Sequence, residues 1–317
     1  MNYRAPWWLP GGNLQTIYPF FALQSAPPHY RRERVNTDDG DFVDFDWLDA
    51  GGPASPVVVL FHGLEGCSRS HYASAIMQAV GVQGWRGVVP HFRGCSGEAN
   101  RLPRAYHSGD ADEIGWMLNI VRERIRRPVF AAGVSLGGNA LLKWLAREGS
   151  AAGQLVQAAA AISAPIDLTA AGARLSAGLG RVYGRHFLHS LKRKGLEKHA
   201  RYPGLFDRDR VEHARTLREF DDAFTAPLHG FRDVDDYWHR ASSKRDLGSV
   251  RVPTLLVHAR NDPFLPGSHL PAPQELPGAI ESEFLNSGGH VGFVSGRPPG
   301  TLDWLPARLL RFLSARA

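Results

Sequence analysis

The stretch Pro128-Val129-Phe130-Ala131-Ala132-Gly133-Val134-Ser135-Leu136-Gly137-Gly138-Asn139 decides how this chain is read. An apolar run, Pro128 to Ala132, meets a helix-like run, Asn139 to Arg147, through the pentapeptide Gly133 to Gly137. Small residues two positions either side of a serine let a strand turn sharply into a helix. The turn holds the hydroxyl up, where the next backbone amide can help to stabilise an oxyanion. Ser135 is therefore the candidate nucleophile. With 34 glycines in 317 residues, the pentapeptide carries weight only through its surroundings.

Those surroundings alternate. Strand-like runs recur at Asp41 to Trp47, Val57 to Phe61, Gly87 to His91, Val129 to Gly133, Ala158 to Ser163, Thr254 to His258 and Ile280 to Leu285. Several are solidly apolar, as strands buried on both faces of a parallel sheet must be. Helical patterns lie between them at 73–82, 110–124, 139–147 and 302–313. The expectation is an α/β fold, a mostly parallel central sheet covered by helices on both faces. The rhythm breaks between Ser163 and Val252, which predicts a helical cap inserted at about 165–250, before the penultimate strand, within a single domain spanning 1–317. There Arg174, Arg181, Arg185 and Lys192 share one side of a helical wheel, and Leu175, Leu179, Val182, Tyr183, Phe187 and Leu191 the other. The pattern predicts a lid helix packed on the core, with Gly178, Gly180 and Gly184 as weak points and contact with a lipid surface as a second reading.

A serine hydroxyl needs a base within reach and a third group to orient that base. Asp262 lies in the loop after the Thr254 to His258 run, and His290 in the loop after Ile280 to Leu285. The order Ser, Asp, His, each after its own strand, is that of α/β-hydrolases, and such loops gather catalytic groups at one sheet edge. Asp167 is the rival acid. The run Val57 to Phe61 enters His62-Gly63-Leu64-Glu65-Gly66, the place for a second oxyanion amide, so the backbone amides of Leu64 and Leu136 are the expected donors. His62 and Glu65 are read as loop-shaping groups. Asp110 and Glu113 fit a helix-start capping box better than a metal site, and the acidic runs at 220–222 and 233–236 lack calcium-loop spacing. No metal and no cofactor are expected.

The net charge of +6 comes almost wholly from arginine; such a balance suits anionic substrates, lipid headgroups or nucleic acid, but also a general preference for arginine. Cys67 and Cys95 are too few for a disulfide scaffold and read as small loop residues. Residues 1–24 contain no apolar stretch of a secretory signal, and no run approaches the ~18 apolar residues that span a bilayer. The chain is placed in the cytoplasm by default, with peripheral membrane contact through the cap left open and no nucleic acid expected as a partner. Oligomeric state is not legible.

Asn13-Leu14-Gln15-Thr16, His62 to Gly66, Arg93 to Glu98, Tyr106 to Gly109, Ser135 to Asn139 and Thr225 to Phe231, taken in order, resemble the YheT-like branch of the α/β-hydrolases. The likeness covers nearly the whole chain. One departure is Asn13, where many members carry a histidine. The resemblance implies an esterase-like serine hydrolase without cofactor, with Ser135, Asp262 and His290 at the triad positions. The expected substrate is a small ester or lipid-like molecule. Lipase, phospholipase or thioesterase chemistry on the same triad is the alternative, and a basic binding protein on a hydrolase scaffold the remaining one.

Overall fold

The computed structural model describes residues 3–23 and 26–317, so the ends of the segment 1–24 fall outside it. Its sheet has eight strands in the order β1-β2-β4-β3-β5-β6-β7-β8. These are β1 (Arg31–Asn36), β2 (Phe42–Leu48), β3 (Val57–Phe61), β4 (Arg86–Pro90), β5 (Val129–Val134), β6 (Val156–Ile162), β7 (Thr254–Ala259) and β8 (Ile280–Leu285). From β4 to β8 all neighbours are parallel, while β2 pairs antiparallel with both β1 and β4. The seven strands expected from apolar runs are present within two residues at either end.

The strand not anticipated is β1, whose sequence Arg-Arg-Glu-Arg-Val-Asn has no apolar alternation. It forms because β2 offers buried carboxylates in register: Arg32 lies opposite Asp46 and Arg34 opposite Asp44, each pair joined by two hydrogen bonds of 2.7–2.9 Å. Cross-strand pairing by charge replaces the apolar face here and leaves a polar, arginine-bearing outer edge.

Helices α1 (Gly12–Ala22), α2 (His71–Val82), α3 (Ala111–Ile125) and α4 (Leu136–Glu148) precede β6. Between β6 and β7 run α5 (Leu168–Leu175), α6 (Gly180–Arg201), α7 (Arg208–His213), α8 (Leu217–Phe220), a π-helical turn (Asp221–Thr225), α9 (Ala226–Leu228) and α10 (Val234–Ala241). The chain closes with α11 (Trp304–Ser314). The inner strands β2 to β7 are buried on both faces yet still divide by parity. Val57, Val59, Phe61, Ala131 and Ala161 join one apolar cluster with α3 and α4, and Val58, Leu60, Ala132 and Ala160 join another with α2 and α11.

The helix predicted across 174–192 is two helices. Gly178, at φ 51°, separates α5 from α6, a conformation that suits glycine. The wheel's apolar side consequently splits: Leu175 is buried, whereas Leu179 and Val182 are 66% and 60% exposed.

Candidate active site

Strand β5 ends at Val134 and α4 begins at Leu136, so Ser135 makes the turn by itself, at φ 52°. Such a backbone is strained for a residue with a side chain and persists only when its neighbours fix it. The Ser135 amide donates to the Ile162 carbonyl at 2.8 Å, and the Ser135 carbonyl accepts from the Asn139 amide at 3.1 Å. A Cβ on Gly133 would lie 2.5 Å from the Gly137 carbonyl oxygen, and one on Gly137 would lie 2.5 Å from the carbonyl oxygens of Phe61 and His62. Both glycines are required because backbone, which cannot swing aside, fills the space.

The loops after β7 and β8 meet above this turn. Ser135 Oγ and His290 Nε2 are 2.9 Å apart, and His290 Nδ1 lies 2.9 Å from Asp262 Oδ2. The other carboxylate oxygen, Oδ1, accepts from the Phe264 amide at 2.7 Å. Burial opposes ionisation of Asp262, but the nearby His290, the hydrogen bond to it, His258 and the Phe264 amide outweigh burial and hold the carboxyl below its usual range. An ionised Asp262 fixes the His290 tautomer with its proton on Nδ1 and leaves Nε2 to accept from Ser135. The Phe264 ring stacks on the imidazole at 3.9 Å between centroids. Asp167, the rival acid, instead caps α5 by accepting from the Ala170 amide at 3.1 Å.

The loop that carries His290 is held from outside the sheet, by α1. Thr16 Oγ1 accepts from the His290 amide at 2.8 Å, and Gln15 Oε1 accepts from the Gly288 amide at 2.8 Å and from Asn261 Nδ2 at 3.0 Å. Asn261 Oδ1 in turn accepts from the Gly289 amide at 3.0 Å. Gln15 and Thr16 are thus the brace that joins the acid-bearing loop to the base-bearing loop. Asn13, one residue earlier, faces the insert: the Tyr183 hydroxyl donates to its Oδ1 at 3.1 Å.

The loop after β3 is tied by two phenols. The Gly63 amide donates to the Tyr72 hydroxyl at 2.8 Å, and the Glu65 amide donates to the Tyr106 hydroxyl at 2.9 Å. Between them the Leu64 amide has no acceptor among the described residues, and neither has the Leu136 amide at the first turn of α4. Unengaged amides, one in a turn and one at a helix start, are ready donors to an oxyanion. Glu65 sits at φ 55°, and its carboxylate accepts from Tyr106 and from Lys194 of α6, both at 2.8 Å. His62 is fully buried; its Nδ1 donates to the Gly63 carbonyl at 2.8 Å and its Nε2 accepts from the Phe92 amide at 3.1 Å. Burial lowers its pKa to about 3, so His62 shapes the loop as a neutral ring.

Above Ser135 opens a cavity of about 670 Å³, walled on the insert's side by Leu168, Leu175, Phe187, Phe220, Phe224 and Trp238. Cys67 and Cys95 also line it as free thiols, and burial pushes the Cys95 thiol up to about 12. The acidic clusters are committed elsewhere. Asp110 caps α3 through the Glu113 amide at 3.2 Å, but the Glu113 carboxylate turns to Arg93 and Arg104 rather than completing a capping box. Asp233 caps α10, and Asp221 accepts from Trp238 Nε1 at 2.9 Å.

Residues 56–296 match the model of the alpha/beta hydrolase fold family. Over 309 residues the chain is 40% identical to "Putative esterase YheT" of Escherichia coli (strain K12), covering 95% of this chain and 90% of that one. This chain belongs to the YheT-like branch of the α/β-hydrolases. A phospholipase of Mus musculus is 30% identical over 311 residues, covering 95% of this chain and 75% of its own. The fold is shared with an esterase of Pyrococcus furiosus at a TM-score of 0.58, with 15% identity and 91% of each chain covered.

In this YheT-like hydrolase several supporting residues escaped the sequence reading. Tyr72, Asn261, Phe264 and the hydroxyl roles of Thr16 and Tyr106 follow from no local spacing, since Tyr72 reaches back from α2 to the Gly63 amide and the others act on loops distant in the chain. The available signal was the recurrence of Leu14-Gln15-Thr16 and Tyr106-His107 among the segments shared with the family.

Proposed function

We propose that this YheT-like α/β-hydrolase cleaves carboxylic esters through an acyl-Ser135 intermediate. The observation that carries the reading is the hydrogen-bonded line from Asp262 through His290 to Ser135, beside the unengaged Leu64 and Leu136 amides. As Ser135 Oγ bonds to the ester carbon, its proton passes to His290 Nε2. The carbonyl electron pair moves onto oxygen, where the two amides receive the charge; losing one such donor costs ~3 kcal/mol of transition-state stabilisation. Collapse expels the alkoxide, which takes the proton from His290. Water then attacks the acyl carbon while His290 takes its proton, and Ser135 departs with that proton restored. Asp262 holds Nδ1–H and offsets the imidazolium charge throughout. The products are an acid and an alcohol, and the steps need only protein groups and water.

On this reading the insert at about 165–250 is a cap whose apolar wall receives the acyl chain. Size and lining favour an extended acyl group over acetate, and the same geometry admits thioesters and glycerolipid esters. The test is labelling with a fluorophosphonate probe followed by peptide mapping. Modification confined to Ser135 and abolished in His290→Ala is the expected result; a folded protein that does not label would overturn the proposal and favour a binding role. A p-nitrophenyl ester series set against acyl-CoA then ranks chain length and leaving group.

A further inference from the structure

Most large apolar side chains that the described chain leaves exposed gather on one surface. Leu14, Ile17 and Phe21 follow one another at helical spacing along the outer face of α1, with Phe21 73% exposed. Leu179 and Val182, at the start of α6, are almost as open. The two helices touch: Tyr183 bonds to Asn13, and the Phe20 ring meets His186 edge-on at 5.9 Å between centroids. The five side chains thus belong to one two-helix face, although α1 and α6 are far apart in the sequence.

Charge gives this face its partner. No aspartate or glutamate occurs from residue 1 to Arg32, nor from Leu168 to Leu196, whereas the second stretch carries Arg174, Arg181, Arg185, Lys192, Arg193 and Lys194. Arg174, Arg181 and Arg185 are exposed and form neither an ion pair nor a side-chain hydrogen bond among the described residues. Elsewhere in the molecule arginines are commonly paired, as Arg32, Arg34, Arg93, Arg147 and Arg218 are. Exposed apolar side chains beside unpaired cations, with no carboxylate on either helix up to Leu196, suit an apolar layer beneath anionic headgroups. They suit an acidic protein less, since its surface would offer no such layer.

We propose that the α1–α6 face docks on an anionic lipid surface, with Ile17, Phe21, Leu179 and Val182 entering the headgroup boundary and Arg181 and Arg185 meeting the phosphates. The same helices frame the candidate site. Thr16 of α1 holds the His290 amide, and His186 and Phe187 of α6 line the cavity. Docking therefore brings the cavity mouth to the membrane plane, where lipid-dissolved esters are concentrated. That consequence rests on the hydrolase reading; docking itself does not.

The experiment is cosedimentation of the full chain with vesicles of phosphatidylcholine alone and of equal parts phosphatidylcholine and phosphatidylglycerol. Hydrolysis of a water-soluble p-nitrophenyl ester is followed in parallel. The expected result is binding to the anionic vesicles that weakens with salt. Arg181→Gln and Arg185→Gln should each reduce it about fivefold, and the pair Phe21→Asp and Val182→Asp about tenfold or more. The soluble-ester rate should not change, because none of these side chains reaches Ser135, His290 or Asp262. Equal binding to both vesicles, no binding to either, or a chain-to-chain dimer broken by Phe21→Asp would overturn the proposal. A chain that binds but does not hydrolyse would refute the catalytic reading and leave docking intact.

Discussion

The sheet edge that carries Ser135, Asp262 and His290 and the outer face of α1 and α6 lie within a few side chains of each other, yet they are built on opposite rules. At the edge the polar groups that position the three loops are paired. Asp262 takes His290 and the Phe264 amide, the His290 amide takes Thr16, and Gly63 and Glu65 take Tyr72 and Tyr106, leaving the Leu64 and Leu136 amides unengaged. On the outer face, arginines stand unpaired beside exposed phenylalanine and valine. A buried polar group left without a partner costs ~1–3 kcal/mol, whereas exposed cations and apolar side chains cost little until a partner arrives. Dense pairing holds a reaction geometry; sparse pairing holds a surface in reserve.

The sharpest way to break this contrast is at the edge. Ser135→Ala should lower esterase turnover by about 10⁴-fold or more, and His290→Ala by a similar factor because the groups act as a unit. Turnover retained by a folded Ser135→Ala protein would remove the edge's claim to chemistry.

The cavity wall supplies the next largest effect. Asp221 lines the cavity, and burial raises its pKa to about 6, above the usual carboxylate range, despite bonds from Thr225 and Trp238 that favour its ionised form. A carboxyl raised in this way contributes stability that is full below about pH 3.8 and lost as pH rises through about 6. Asp221→Asn should therefore flatten the fall in stability between pH 4 and pH 7 by up to ~3 kcal/mol, measured by denaturant unfolding at both values. An unchanged pH slope would place Asp221 in contact with water.

Smaller effects test the bracing of the edge. Tyr106→Phe removes the acceptor of the Glu65 amide and a donor to the Glu65 carboxylate, and loosens the loop around Leu64. The expected result is a fall in kcat of about tenfold with KM little changed, a fraction of what a lost oxyanion donor costs. Thr16→Val leaves the His290 amide without its acceptor, and should cost ~1 kcal/mol of stability and a few-fold in kcat. If Thr16→Val instead changed vesicle binding alone, α1 would serve the surface and not the His290 loop.

By itself the sequence determined the α/β alternation, the seven apolar strands, the elbow at Ser135 and the loops that carry Asp262 and His290. These are local consequences of period, of glycine and of the order of elements along the chain. Membership of the YheT-like family was legible in segments such as Leu14-Gln15-Thr16 and Ser135 to Asn139, though not what those segments touch. The tertiary structure alone decided the rest. It made a strand of Arg31–Asn36, because Asp44 and Asp46 stand opposite its arginines. It broke the predicted lid helix at Gly178 and turned Leu179 and Val182 outward. It set α1 under the His290 loop and against α6, a contact between residues separated by more than 150 positions. Periodicity records which side of an element is apolar; which distant element covers that side, or whether any does, depends on where the folded chain brings its parts together.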